Sequence, residues 1–291
     1  MPDWVAIFDI LFDMDYNSRQ YWAFDCEWAP DVASGRRLYH LPADLPDDEV
    51  LRVMWEQGGA TVENPQPFLK TVMCKLVSIA TVVRNEKGNL TLWAIPSLEE
   101  AQGQPFVDDP NVDERSILET FLLKFEYNLG QPGRKPTLVG YNSRNADIRI
   151  LLQRAMVNGM QLRGFSQEAA AKPWNQTGVD LMDFVSGVGK GHSCSLNEIA
   201  TLCGIPGKLD TRGEDVAGLY YGGNRRKIVE YNVFDALTTY LLWLRVEHFK
   251  AEMTDTQYEE EVAKVRALLA REVAKPCGKF LELYIEAWRT I

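Results

Sequence analysis

Cysteine, histidine, positive charge and long apolar runs are all in short supply in this chain, and each scarcity closes off a class of reading. The five cysteines, Cys26, Cys74, Cys194, Cys203 and Cys277, are odd in number, scattered and free of any C-x-x-C pair. That usage speaks against a disulfide framework and for reduced thiols in a cytoplasmic setting. His192, Cys194 and Cys203 form a possible zinc set, but a fourth ligand at ordinary spacing is missing. No stretch reaches the roughly eighteen apolar residues that a membrane-spanning helix needs, so no membrane partner is expected. Trp4 to Phe12 is apolar but short, interrupted by Asp9 and without a basic leader, and is not expected to act as a secretory signal. The 31 Lys and Arg fall behind the 41 Asp and Glu, and the net charge of −10 counts against broad electrostatic attraction to a polyanion. No internal repeat is visible.

With 291 residues, 46% hydrophobic and 25% charged, the chain can bury a full core and reads as one large globular domain with appendages. Its most telling feature is a set of carboxylates in three separate patches. Asp25 and Glu27 stand two apart inside Tyr21-Trp22-Ala23-Phe24-Asp25-Cys26-Glu27-Trp28, which reads as a buried strand. The strand period of two puts both acids on one face and Cys26 on the other. Asp147 follows the strand-like Pro136 to Asn142 and opens an apolar, helix-like segment. Tyr231 and Asp235, four apart in a long amphipathic run, share one helix face. Two acids in an otherwise apolar strand are costly to bury unpaired. Carboxylates at this density repel one another unless divalent cations bind between them, and hard oxygen ligands suit magnesium or manganese.

The remaining pattern is alternately strand-like and helical. After a first strand near 21–27, residues 29–69 are rich in Pro, Asp and Gly, with a helical stretch at 47–55. An insertion of that length beside such a strand often shapes access to a site. Lys75–Val83 and Leu90–Ile95 read as strands joined by the turn Asn85-Glu86-Lys87-Gly88-Asn89. A helix near 113–129 carries Ile117, Phe121, Leu122 and Phe125 on one face. A strand at 137–142, a helix near 145–157 and a short strand near 179–181 follow, and Ser195 to Glu198 reads as a capping box. The long helix near 225–249 carries Val229, Val233, Ala236, Leu237, Tyr240 and Leu244 as a core stripe, and an amphipathic run at 256–289 closes the chain. The order describes an antiparallel meander followed by parallel crossovers, a mixed α/β sheet flanked by helices. That is the architecture of the ribonuclease H-like fold.

Phe24-Asp25-Cys26-Glu27 resembles the first motif of the DEDD 3′–5′ exonucleases. Gly140 to Asp147 resembles the second, in the form seen in the proofreading domains of family B DNA polymerases, although Ala146 stands where those domains often place Phe. Tyr231 to Asp235 resembles the third in its tyrosine variant, DEDDy; the histidine subtype needs His at position 230, where Glu230 stands, and all three histidines lie outside the motifs. The match looks closest to a stand-alone bacterial family of predicted 3′–5′ exonucleases related to that polymerase domain. Ala29-Pro30-Asp31 and the acidic insertion after it fit that family, and the resemblance covers residues 20–250.

The resemblance implies a DEDDy exonuclease domain at 20–250, between an N-terminal extension at 1–19 and a C-terminal helical extension at 251–291. It implies hydrolysis of phosphodiester bonds at the 3′ ends of single-stranded DNA or RNA, with DNA the first expectation. Two magnesium or manganese ions about 4 Å apart would serve the reaction. Asp25, Glu27 and Asp235 would hold the one that activates water, Asp25 and Asp147 the one that stabilises the leaving 3′-oxygen, with Asp25 bridging. Tyr231 would hydrogen-bond the attacking water or the scissile phosphate. Asn142 is placed beside the substrate rather than on a metal, and Asp180 and Asp183 are left structural. Arg225-Arg226-Lys227 and Arg144 with Arg149 could form a small basic rim, or could be solvated surface charge. A polymerase palm or fingers is not expected in the roughly forty residues after the last motif. A second reading, a haloacid-dehalogenase-type phosphatase, would use Asp13 and Asp15 in Asp13-Met14-Asp15, but its later Ser/Thr, Lys and acidic pair are not evident.

Overall fold

The computed structural model describes residues 19–98, 113–171, 178–187, 193–207 and 216–290. Expectations for the N-terminal extension, for Asp13 and Asp15, and for His192 fall outside them. Strands β1 (Gln20–Pro30), β2 (Cys74–Arg84) and β3 (Leu90–Ile95) make the antiparallel meander, and β4 (Pro136–Gly140) and β5 (Val179–Asp180) add in parallel beside β1. The sheet order is β3-β2-β1-β4-β5. The described helices are α1 (Val32–Tyr39), α2 (Asp47–Gln57), α3 (Glu114–Leu129), α4 (Asp147–Val157), α5 (Arg163–Ala170), α6 (Leu181–Ser186), α7 (Leu196–Leu202), α8 (Val216–Tyr221), α9 (Arg225–Phe249), α10 (Asp255–Val273) and α11 (Leu281–Thr290). The result is the expected ribonuclease H-like mixed sheet between two helical layers. The short helices α1, α5, α6 and α8 were not legible as periodicity, since six to eight residues hold barely two turns.

Alternation along β1 sorts the two cores. Trp22, Phe24 and Cys26 pack with Phe121, Phe125, Ile150 and Phe165 of α3, α4 and α5. Ala23 packs on the other side, with α9, α10 and α11. Asp25 and Glu27 therefore share the α9 side, as the strand period requires. The β1–β2 register slips between Glu27, which faces Ser78, and Trp28, which faces Leu76, so Val77 stands in a bulge.

The long helix departs from its amphipathic reading. Val229, Val233, Ala236, Leu237, Tyr240 and Leu244 are buried as expected, with Trp243 at the edge of their stripe, but so are Phe234, Leu241 and Leu242 on other faces. The sheet covers one side, where Trp243 lies 4.4 Å from the Tyr21 ring, and the C-terminal helices cover another, where Phe234 lies 5.6 Å from Tyr284. The C-terminal run is two helices, with a 3-10 turn at Pro276–Gly278 between them, and both join the core of the sheet through Val265, Leu268, Leu281 and Tyr284.

Buried ion pairs fasten the layers. Asp31 accepts from the Ala33 amide at 3.3 Å, capping α1, and from Arg154 of α4 at 3.1 Å. Arg154 also donates to both oxygens of Glu114 at 2.6 Å, and Glu114 accepts the Leu76 amide at 2.7 Å. At the other end of the sheet Arg84 donates to Glu261 of α10 at 3.0 and 3.2 Å, with the two side chains 1% and 5% exposed. Burial alone would raise the Glu261 pKa; Arg84, helped by Lys264, holds it below its ordinary value instead. Arg84→Met should therefore leave Glu261 buried without its main partner, at a cost of about 3–5 kcal/mol. Urea unfolding checks this, and a loss under about 1 kcal/mol, the range of an exposed pair, would contradict it.

Candidate active site

The three sequence patches meet at one end of the sheet. Strand β1 delivers Asp25 and Glu27, and α9 delivers Tyr231 and Asp235 from one face, one turn apart. One carboxylate oxygen each from Asp25, Glu27 and Asp235 lies within 4.8 Å of the others, although Asp235 is 208 to 210 residues further along the chain. Glu27 is 8% exposed and Asp235 7%. Hard oxygen donors at that spacing fit a magnesium- or manganese-sized cation. Tyr231 is buried, and burial, then the charges of Glu27, Asp235 and Asp25, push its pKa far above the ordinary range. Its hydroxyl stays protonated and can donate a hydrogen bond.

Asp147 is placed differently. It is the first residue of α4, lines the same cavity, and is 3% exposed, but it does not belong to the carboxylate trio. Its Oδ1 accepts the backbone N–H of Cys26 at 2.9 Å. Burial, with Asp180 adding to it, outweighs that hydrogen bond and pushes the Asp147 carboxyl up to about 7. The Cys26 thiol is pushed well above its usual range by burial and by the neighbouring acids, so it stays protonated. Both the backbone N–H and the thiol of Cys26 hydrogen-bond to Asp147 and so connect the first motif to the second.

The loop that presents Asp147 is folded by Asp180. Strand β4 ends at Gly140, two residues earlier than the sequence suggests, because the chain turns there: Asn142 takes the left-handed φ of 57°, and a Cβ at Gly140 would collide with Ser143. Asp180, at the end of β5, accepts the amides of Asn142 and Arg144 at 2.9 Å each and of Met182 at 3.1 Å. Asn142 in turn accepts the Ala146 amide through its carbonyl at 3.1 Å, and its side-chain oxygen accepts from Asn145 at 3.1 Å. Arg144 pairs with Asp183. Asp180 and Asp183 are thus both engaged in holding this loop, and Asn142 lines the cavity.

The cavity holds about 640 Å³, and the 29–69 insertion supplies one wall through Trp55 and Phe68, the latter 73% exposed. That wall has no signature in the sequence beyond the insertion itself. The basic rim needs correction. Arg225 is 3% exposed and donates to a β2 carbonyl, because the start of α9 is packed against the sheet. Arg226 pairs with Glu230 at 2.8 Å, while Lys227 and Arg149 are exposed. Of the possible zinc set, Cys194 is engaged by the Tyr141 hydroxyl, which donates to its carbonyl at 2.5 Å, and no metal-binding group containing Cys194 or Cys203 is found among the described residues.

Comparison with known proteins follows the same direction. Residues 66–288 match the family model described as a predicted 3′–5′ exonuclease related to the exonuclease domain of PolB. The matched segment contains Asp147, Tyr231 and Asp235 and begins after Asp25 and Glu27. No curated protein matches the chain. Among solved structures it is similar to the family B DNA polymerase from the hyperthermophilic archaeon Pyrobaculum calidifontis, with 15% identity and a TM-score of 0.43, over 88% of this chain and 29% of that one. The chain therefore spans less than a third of that polymerase. No helix among the described residues is long and apolar enough to cross a membrane.

The raised Asp147 pKa has a consequence for the metal-free protein. Between its ordinary value of 3.8 and about 7, the folded state binds a proton that the unfolded state has lost. Stability should then fall as pH rises through that window and level off above it. Asp147→Asn should flatten this limb and be the more stable variant in chelator at pH 8. Urea unfolding of both proteins across pH 4–8 measures it, and parallel curves would refute the assignment.

Proposed function

The chain belongs to the family of predicted 3′–5′ exonucleases related to the exonuclease domain of PolB, and from that premise we propose that it removes nucleotides from the 3′ ends of single-stranded DNA with two divalent cations. The observation that carries this reading is the convergence of Asp25, Glu27 and Asp235 to within 4.8 Å, in a cavity that Asp147 and Tyr231 also line. The trio would hold one magnesium or manganese ion, and Asp147 with Asp25 a second. Bound there, such cations make water nucleophilic, stabilise the charged phosphoryl transition state and neutralise the leaving oxygen.

The chain's own groups do the positioning. Tyr231, held protonated, donates to the attacking water or to a non-bridging oxygen of the scissile phosphate. The Cys26 amide keeps Asp147 oriented toward the cavity in either protonation state, and Asp180 keeps the loop that carries it folded. Phe68 and Trp55 offer flat faces on which an unstacked terminal base can lie, which favours single strands over duplex ends. With a net charge of −10, such stacking and the metals together would carry more of the affinity than backbone phosphate contacts. The same cavity would admit an RNA end, so paired DNA and RNA substrates belong in the first assay. We place the catalytic unit at residues 20–250, with 251–291 as a helical extension packed onto it.

With magnesium or manganese, the protein should shorten a 5′-labelled single strand stepwise, and excess chelator should stop it. Asp25→Ala, Glu27→Ala, Asp147→Ala and Asp235→Ala should each cost several powers of ten in turnover, and double variants little more, because such groups act as a unit. Full activity in chelator would rule out the two-metal reading. Hydrolysis of bis-(4-nitrophenyl) phosphate in preference to 4-nitrophenyl phosphate would separate this diesterase from a phosphatase using Asp13 and Asp15.

Tyr231→Phe isolates the hydroxyl. Turnover should drop by about ten- to a thousandfold, the scale for a positioned donor, while thermal stability and metal affinity stay near wild type. Single-turnover rates beside calorimetric metal titration measure both. Wild-type rates in Tyr231→Phe would make this tyrosine a packing residue.

A further inference from the structure

Arg225 stands first in a basic cluster, yet it is only 3% exposed. Val77 sits in the β2 bulge, where the β1 register passes from Ser78 to Leu76. A bulge leaves a backbone carbonyl without its ladder partner. The Val77 carbonyl accepts from Arg225 Nε at 3.3 Å and from Nη2 at 3.2 Å. The next carbonyl, that of Ser78, accepts from Asn232 Nδ2 at 3.4 Å, and Asn232 is fully buried. Arg225 and Asn232 are seven residues apart, two turns, so they form one stripe along α9, and Tyr231 and Asp235 form the stripe beside it. Ser78 is the register partner of Glu27. The helix that brings Asp235 is thus fastened by two polar side chains to the piece of β2 lying alongside Glu27.

We propose that Arg225 and Asn232 are positioning residues: by gripping the β2 bulge they set where α9 sits along the sheet, and so fix the distance from Asp235 to Asp25 and Glu27 for divalent-cation binding. The apolar contacts between α9 and the sheet are non-directional and would tolerate small slides. A slip of one residue moves Asp235 by about 1.5 Å along the axis, far beyond the roughly 0.2 Å tolerance of a metal–ligand distance. Three hydrogen bonds onto two successive carbonyls remove that freedom. This inference rests on the reading that the carboxylates bind divalent cations.

The test is calorimetric titration of the substrate-free, full-length chain with manganese, alongside thermal unfolding, for wild type, Arg225→Met, Arg225→Lys and Asn232→Ala. Arg225→Met should weaken manganese binding by about ten- to a hundredfold, the effect of losing a group that orients ligands. Arg225→Lys, which retains one donor for the Val77 carbonyl, should recover part of that loss, and raised manganese should restore turnover to both. A variant that loses thermal stability but binds manganese as wild type does would be merely structural and would overturn the proposal. If Arg225→Met does not fold, Arg225→Lys and Asn232→Ala decide: wild-type affinity in both overturns it, and weakened affinity supports it. No manganese uptake by wild type would overturn the metal reading of the site and the clamp with it, whereas equal uptake by wild type and variants overturns the clamp alone.

Discussion

Mutual repulsion among carboxylates is the constraint that the rest of this structure serves. The half-buried Asp25 crowds together with the buried Glu27 and Asp235, with Asp147 bordering the same cavity. Left to themselves they would drive their carriers apart. The fold answers with rigid supports on every side: β1 in the middle of the sheet, α9 pressed between the sheet and the C-terminal helices, and a loop tied down by Asp180.

Stabilising polar contacts reach Asp147 directly and otherwise tie together the elements that carry the acids. The Cys26 amide reaches Asp147, Asp31 and Glu114 share Arg154, and Arg84 meets Glu261 at the opposite end of the sheet. These groups hold the architecture in place while the carboxylates keep their unfavourable proximity, which is the arrangement a cation site requires. The insertion is tied into the same network: Asp31 caps α1 and pairs with α4, and α1 and α2 close over their own small core of Val50, Leu51, Met54 and Met73.

The strand period placed Asp25 and Glu27 on one face, and the helix period paired Tyr231 with Asp235; both follow from local geometry that any sequence reveals. Asp147 was legible as an acid at a strand–helix junction, but its bond to a backbone amide 121 residues away was not. Arg225 shows the limit most clearly. A run of Arg-Arg-Lys looks the same whether its first member lies in solvent or against the sheet, because the bulge that captures it belongs to a strand some 148 residues earlier. The long helix misled for a related reason: its outer face is apolar because of α10 and α11, and no pattern within 225–249 announces what will cover it.

That enclosure of α9 bears on biosynthesis. The sheet and α9 leave the ribosome before α10 and α11 exist, so Phe234 and its neighbours must wait, uncovered, for the segment that holds Phe280 and Tyr284. At about 5–20 residues per second the wait lasts for seconds, long beside the time a chain takes to collapse. During that interval the nascent protein presents a greasy helix flank to its surroundings, the kind of surface that chaperones capture and that aggregates form around.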